Sequence, residues 1–123
     1  MKEVFHYMDE KYDFYNGGKI MIGGGSAGGI CAFEWVNYLA DNTKKAQVLA
    51  NPDSGFFITD YETPIYHTKI LRAYTEPLMG LVSNLTETPE PILKCLQNPD
   101  FDVIDCMNVA NYGKYIKVPY FMI

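Results

Sequence analysis

Ser26 stands in the run Ile20-Met21-Ile22-Gly23-Gly24-Gly25-Ser26-Ala27-Gly28-Gly29, where a short β-branched stretch ends in glycines and a helical pattern begins. Two chemistries use that layout. Gly24-Gly25-Ser26-Ala27-Gly28 fits G-x-S-x-G, a nucleophile elbow that presents a serine hydroxyl on the turn between strand and helix. Small residues two before and two after the serine permit close backbone approach there. The Ala27 N–H would help hold a developing oxyanion at the positive end of the helix. Gly23, Gly25 and Gly28 also fit G-x-G-x-x-G, a turn that lets a pyrophosphate reach a helix N-terminus. That nucleotide-binding turn wants an acid about 20 residues further on for the ribose hydroxyls. Asp53 follows Gly28 by about 25 residues. A third reading is a glycine turn that only permits tight packing. The motif alone leaves all three open, whereas a Walker loop is excluded because no Gly-Lys-Ser/Thr follows.

The elements that must position these residues follow from periodicity. Val4, Phe5, Met8 and Tyr12 recur at helical spacing, which predicts an amphipathic helix over 2–12, broken by Asn16-Gly17-Gly18. Residues 19–22 predict a short buried strand. Residues 27–39 predict a helix with Ile30, Phe33, Val36 and Leu39 on its buried face, ended by Asp41-Asn42-Thr43. Residues 46–50 predict a second strand, with a turn over 51–55 and Phe56-Phe57-Ile58 after it. Residues 65–82 read as mostly helical despite Pro77. Pro89 and Pro91 open a short helix through about Leu96. A loop over 97–108, one or two helical turns over 109–115 and a third strand over 118–123 complete the reading. Alternating helices and apolar strands predict an α/β fold, a mostly parallel sheet flanked by helices. Ligands of such sheets bind at the carboxyl ends of strands, so Ser26 and Asp53 are expected to share a site. Asp53 has three readings: it orients the elbow, it lines the pocket, or it caps the Ser54-Gly55 turn, and the last is preferred.

Composition narrows the function. A chain of 123 residues holds one domain at most. A net charge of −5 argues against a nucleic-acid partner, because no basic patch is present to neutralise phosphates. No run of 18 apolar residues predicts a membrane span. Cys31, Cys95 and Cys106 fit no zinc spacing, and no metal site is expected. They are either three buried thiols or a Cys95–Cys106 disulfide with Cys31 free. His6 and His67 are weak candidates for a general base, since neither follows an acid in the order Ser…Asp/Glu…His. The acids Glu87, Glu90, Asp100, Asp102 and Asp105 read as solvated surface. Phe56 and Phe57 read as core before acyl pocket. Asn84-Leu85-Thr86 is a glycosylation sequon that adds slight weight to secretion.

Four segments in order carry a resemblance. Gly24-Gly25-Ser26-Ala27-Gly28-Gly29 resembles the Ser-Ala-Gly-Gly nucleophile motif of the pectin acetylesterase/Notum family, serine carboxylesterases of α/β-hydrolase fold. Ala46-Gln47-Val48-Leu49-Ala50-Asn51-Pro52-Asp53-Ser54-Gly55-Phe56-Phe57-Ile58 is similar to that family's strand followed by Asp-Ser/Ala-Gly-Trp/Phe-Phe. Cys95 and Cys106 fall where the family places a short-range disulfide. Tyr115-Ile116-Lys117-Val118-Pro119-Tyr120-Phe121-Met122-Ile123 is similar to its Ile-Lys-Thr-Pro-Leu-Phe strand. The resemblance implies Ser26 as nucleophile and the Ala27 N–H as an oxyanion donor, with Gly24, Gly25, Gly28 and Asp53 as support. It implies acetyl or longer acyl esters on a pectin-like polysaccharide or a protein as substrate, no cofactor, and secretion. A cytoplasmic location is the reading if Met1 is the true start. One departure is Gly25, where the family usually has Cys or Ser. The family's catalytic Asp and His are expected after Ile123, and its glycine-rich oxyanion segment before Ile20. Residues 1–123 are therefore expected to be a central part of such a domain, inactive alone, with exposed sheet edges prone to self-association.

Overall fold

The computed structural model describes residues 1–55 and 87–123. Phe56-Phe57-Ile58, the 65–82 helical pattern, His67 and the Asn84 sequon lie outside the described residues. The chain divides into two units, Met1–Gly55 with Ile116–Ile123, and Phe56–Tyr115.

The first unit is built on two parallel strands. β1 (Lys19–Gly25) pairs with β2 (Gln47–Asp53) in the register Lys19↔Gln47 through Gly25↔Asp53. Between them runs α2 (Ala27–Asn42), so β1, α2 and β2 form the crossover that parallel pairing requires. Alternation sorts the side chains. Ile20, Val48 and Ala50 are buried in one cluster with Val36 and Leu39 of α2. Each of these side chains except Ala50 contributes about 1.5–3 kcal/mol on burial. Met21 and Phe121 are exposed. The second strand runs longer than its apolar pattern, taking in Asn51-Pro52-Asp53, which the sequence assigns to a turn.

α1 (Lys2–Tyr12) has the span that its periodicity predicts, but only Phe5 of its apolar set is buried. Phe5 stacks on Tyr38, whose ring meets Trp35 edge-on, with ring centroids 6.1 Å apart in each pair. Val4 and Tyr12 stay exposed, while the Asp9 carboxylate accepts the Tyr15 N–H at 2.8 Å and the Lys2 ammonium lies over the Tyr38 ring. It ends before the glycines, at Asp13, whose left-handed backbone turns the N–H onto the Asp9 carbonyl at 2.8 Å.

The segment 118–123 runs beside β2 as a single parallel bridge, Ala50↔Tyr120, and not as a full strand. Two prolines explain the difference. Ala50 N–H donates to Pro119 O at 3.1 Å, Phe121 N–H to Ala50 O at 3.0 Å, and Ser54 N–H to Ile123 O at 2.9 Å. Pro52 holds the position between Ala50 and Ser54 and has no N–H to give, and Pro119 has none either.

In the second unit, α3 (Glu90–Cys95) starts at Pro89-Glu90-Pro91 and α4 (Val109–Tyr112) is capped by Asn108, whose side chain accepts from the Ala110 N–H at 3.0 Å. Cys95 and Cys106 form a disulfide, and both are buried with Ile92, Ile104, Val109 and Tyr112. Glu87 and Asp100 are exposed, whereas three other acids here make local bonds. Glu90 pairs with Lys94 at 2.8 Å. The Asp102 and Asp105 carboxylates accept each other's backbone N–H at 2.9 and 2.8 Å. No described helix is long and apolar enough to cross a membrane.

Glu34, on α2, carries a cost into the fold. Burial alone pushes its carboxyl from 4.5 up to about 7. The folded state therefore holds a proton there that the unfolded state has already lost. Stability is fully present below about pH 4.5, falls as pH rises, and levels off above about pH 7. The loss is on the order of 3 kcal/mol. Glu34→Gln should remove this slope. Its melting temperature should exceed the parent's by more at pH 8 than at pH 4.5, and a pH-independent difference would refute the assignment.

Candidate functional site

Ser26 follows the last residue of β1 and precedes the first of α2, so the chain must reverse from strand to helix at one residue. It does so with φ 53° and ψ −118°. A non-glycine residue at positive φ costs on the order of 1–3 kcal/mol unless its surroundings hold it. The Ser26 N–H donates to the Asp53 carbonyl at 2.9 Å, across the end of the parallel pair. The Ser26 carbonyl in turn accepts from Gly29 N–H at 2.9 Å and Ile30 N–H at 3.2 Å, which starts the helix.

This geometry sets the serine apart from an ordinary helix cap. A capping serine folds its oxygen back onto the first helical N–H groups. Ser26 makes no such bond, and the residue is exposed. Helix geometry leaves the Ala27 and Gly28 N–H groups without intrahelical acceptors. A hydroxyl and the positive end of a 16-residue helix thus share one exposed turn at the carboxyl ends of both strands. That arrangement suits attack on a carbonyl and stabilisation of the charge that forms on its oxygen.

Close approach, not flexibility, explains Gly23, Gly24, Gly29 and Gly55; a Cβ on Gly23 would lie 2.9 Å from the Asn51 carbonyl oxygen. β1 and α2 converge toward the turn. A Cβ on Gly24 would lie 2.6 Å from the Gly28 carbonyl group. Gly29 meets Gly55 in the same manner, where a Cβ would lie 2.7 Å from the Gly55 Cα and 2.8 Å from the Asp53 oxygen. By contrast, a Cβ on Gly25 or Gly28 would meet nothing within 4 Å. The demand for glycine therefore does not fall on the G-x-G-x-x-G set Gly23, Gly25 and Gly28 as a whole. Gly25 has room for the side chain that the resemblance expects there.

Asp53 lies beside Ser26, and its main chain is what reaches the elbow. Its carboxylate accepts from Ser54 Oγ at 2.9 Å, on a turn where Ser54 itself has φ 50°. The residue pattern around Asp53 does not signal that its carbonyl takes the Ser26 N–H. The Gly29–Gly55 contact does have a signal in the sequence, the doublet Gly28-Gly29 and the turn Asp53-Ser54-Gly55. His6 is elsewhere, on α1, 3.3 Å from Glu10 with both side chains exposed. Cys31 is free and its thiol is pushed up by burial first and by Glu34 second, which makes it a poor nucleophile. Among the described residues, no group of three or more His, Cys, Asp or Glu is placed to hold a metal ion.

The family model described as pectinacetylesterase matches residues 1–123, the whole chain. No curated protein matches it.

Alanine at the glycines should separate the close approaches from the open positions. Gly24→Ala and Gly29→Ala should each lower stability by about 1–3 kcal/mol or more. Gly25→Ala should stay within about 0.5 kcal/mol of the parent. Urea unfolding midpoints read the difference, and equal losses at Gly24 and Gly25 would contradict the packing described.

Proposed function

The chain belongs to the pectinacetylesterase family, whose activity is hydrolysis of carboxylic esters on acetylated polysaccharide, and from that premise we propose that Ser26 is the nucleophile of an acetylesterase. The observation that carries the reading is the backbone of Ser26, an exposed serine at positive φ on a strand-to-helix turn, with no side-chain cap bond and with its N–H bonded to the Asp53 carbonyl.

In this reading the Ser26 Oγ attacks the acetyl carbonyl carbon. Its proton passes to a base and then to the sugar oxygen that leaves. The negative charge on the carbonyl oxygen is met by the Ala27 N–H. Water then attacks the acyl-serine, releases acetate and returns a proton to Oγ. The reaction needs a base held by a carboxylate. Among the described residues His6 is the one histidine, and its partner is Glu10 on the exposed surface of α1. The fold supports this chemistry by supplying a fixed nucleophile and a helix terminus. The disulfide between Cys95 and Cys106 supports an oxidising, extracellular setting, where a cell-wall polysaccharide would be met.

A fluorophosphonate probe should label the intact protein at Ser26, located by peptide mapping. Ser26→Ala should abolish labelling and reduce acetate release from acetylated pectin by at least about 1,000-fold. Labelling at another residue, with Ser26→Ala still active, would overturn the assignment.

A further inference from the structure

We propose that Asn37 is a positioning residue for Ser26, acting through the segment Ile116–Ile123; this rests on the reading of Ser26 as nucleophile. Asn37 lies one turn after Phe33 on α2 and is fully buried. A buried amide oxygen is costly unless it is bonded. The Asn37 Oδ1 accepts the backbone N–H of Lys117, 80 residues away in sequence, at 2.8 Å. Hydrocarbon of the same size would fill the space but could not take that N–H.

The bond opens a path that returns to the head of its own helix. From Lys117 the segment runs along β2, exchanging hydrogen bonds with Ala50 through Pro119 O and Phe121 N–H. It ends with Ile123 O on the Ser54 N–H. Ser54 adjoins Asp53, whose carbonyl holds the Ser26 N–H at 2.9 Å. Ser26 heads α2, the helix that carries Asn37. The ladder between the segment and β2 is sparse because Pro52 withholds a donor, so backbone bonds alone fix its register weakly. Two contacts with α2 supply the missing constraint. One is the Asn37–Lys117 bond. The other is the edge-on packing of Phe33 against Tyr120, with centroids 5.3 Å apart. The Lys117 ammonium also meets Asp41 at 2.8 Å, but that pair is exposed and screened by solvent.

The test compares Asn37→Leu, which removes the acceptor at similar volume, with Asn37→Asp, which keeps one. Lys117→Met serves as a control that spares the backbone bond. Asn37→Leu should slow fluorophosphonate labelling of Ser26 by about tenfold or more, as expected when a reacting atom is displaced. Amide exchange should quicken at Ser54 while the β1–β2 ladder stays protected. Asn37→Asp should recover most of the labelling rate, and Lys117→Met should stay within about twofold of the parent. If Asn37→Leu does not fold, Asn37→Ser, too short to reach Lys117, makes the same comparison. A folded Asn37→Leu that labels at the parent rate overturns the positioning role alone. A parent protein that does not label at Ser26 overturns the nucleophile reading, and this proposal with it.

Discussion

The bond from the Ser26 N–H to the Asp53 carbonyl is the constraint on which the rest of this site depends. A serine at positive φ has no intrinsic reason to stay there. It stays because the parallel register brings Gly25 opposite Asp53, so the next residue meets the end of β2. The bond is made by main-chain atoms, and its direction is set by strand pairing before any side chain is considered. The positive φ of Ser26 and the absence of a cap bond from its side chain belong to one backbone geometry.

Helix α2 turns that local bond into a rigid frame. Its buried face packs on Ile20, Val48 and Ala50, and its head is pressed against the strand ends at Gly24 and Gly55. Side chains at those contacts would hold the helix off the sheet and move its N–H groups away from the turn. The fold thus accepts a weak helix former, Gly29, in the first turn of α2 in return for closeness. Such a frame suits a reaction whose charge develops at a fixed point, because preorganised N–H groups do not have to reorient as it forms.

Much of this was legible in residue order. The change from β-branched residues to glycines and then to helical spacing located β1, the turn and α2. The segments around Asp53, the cysteine pair and Lys117 carried the family resemblance that the match over residues 1–123 supports. Long-range backbone partners were less legible. A pattern of side chains cannot show that Asp53 acts through its carbonyl. Nor does it show that Pro52 sits on a central strand and reduces the neighbouring segment to one bridge. Asn37 was the nearest to a readable signal, a lone amide at helical spacing from Phe33. Its partner, however, is 80 residues away. The periodicity of α1 overstates its buried face, because it reports which residues can be buried together and not how much surface awaits them.

Residue-resolved amide exchange at the turn tests the central claim most directly. Ser26, Ala27 and Gly28 are consecutive and exposed, so exposure alone predicts similar exchange once sequence effects are removed. The Asp53 bond predicts a slow Ser26 amide beside fast Ala27 and Gly28 amides, which have no intrahelical acceptors. Ser26 exchanging as fast as Ala27 would contradict the account, because the carbonyl would then not be holding the turn.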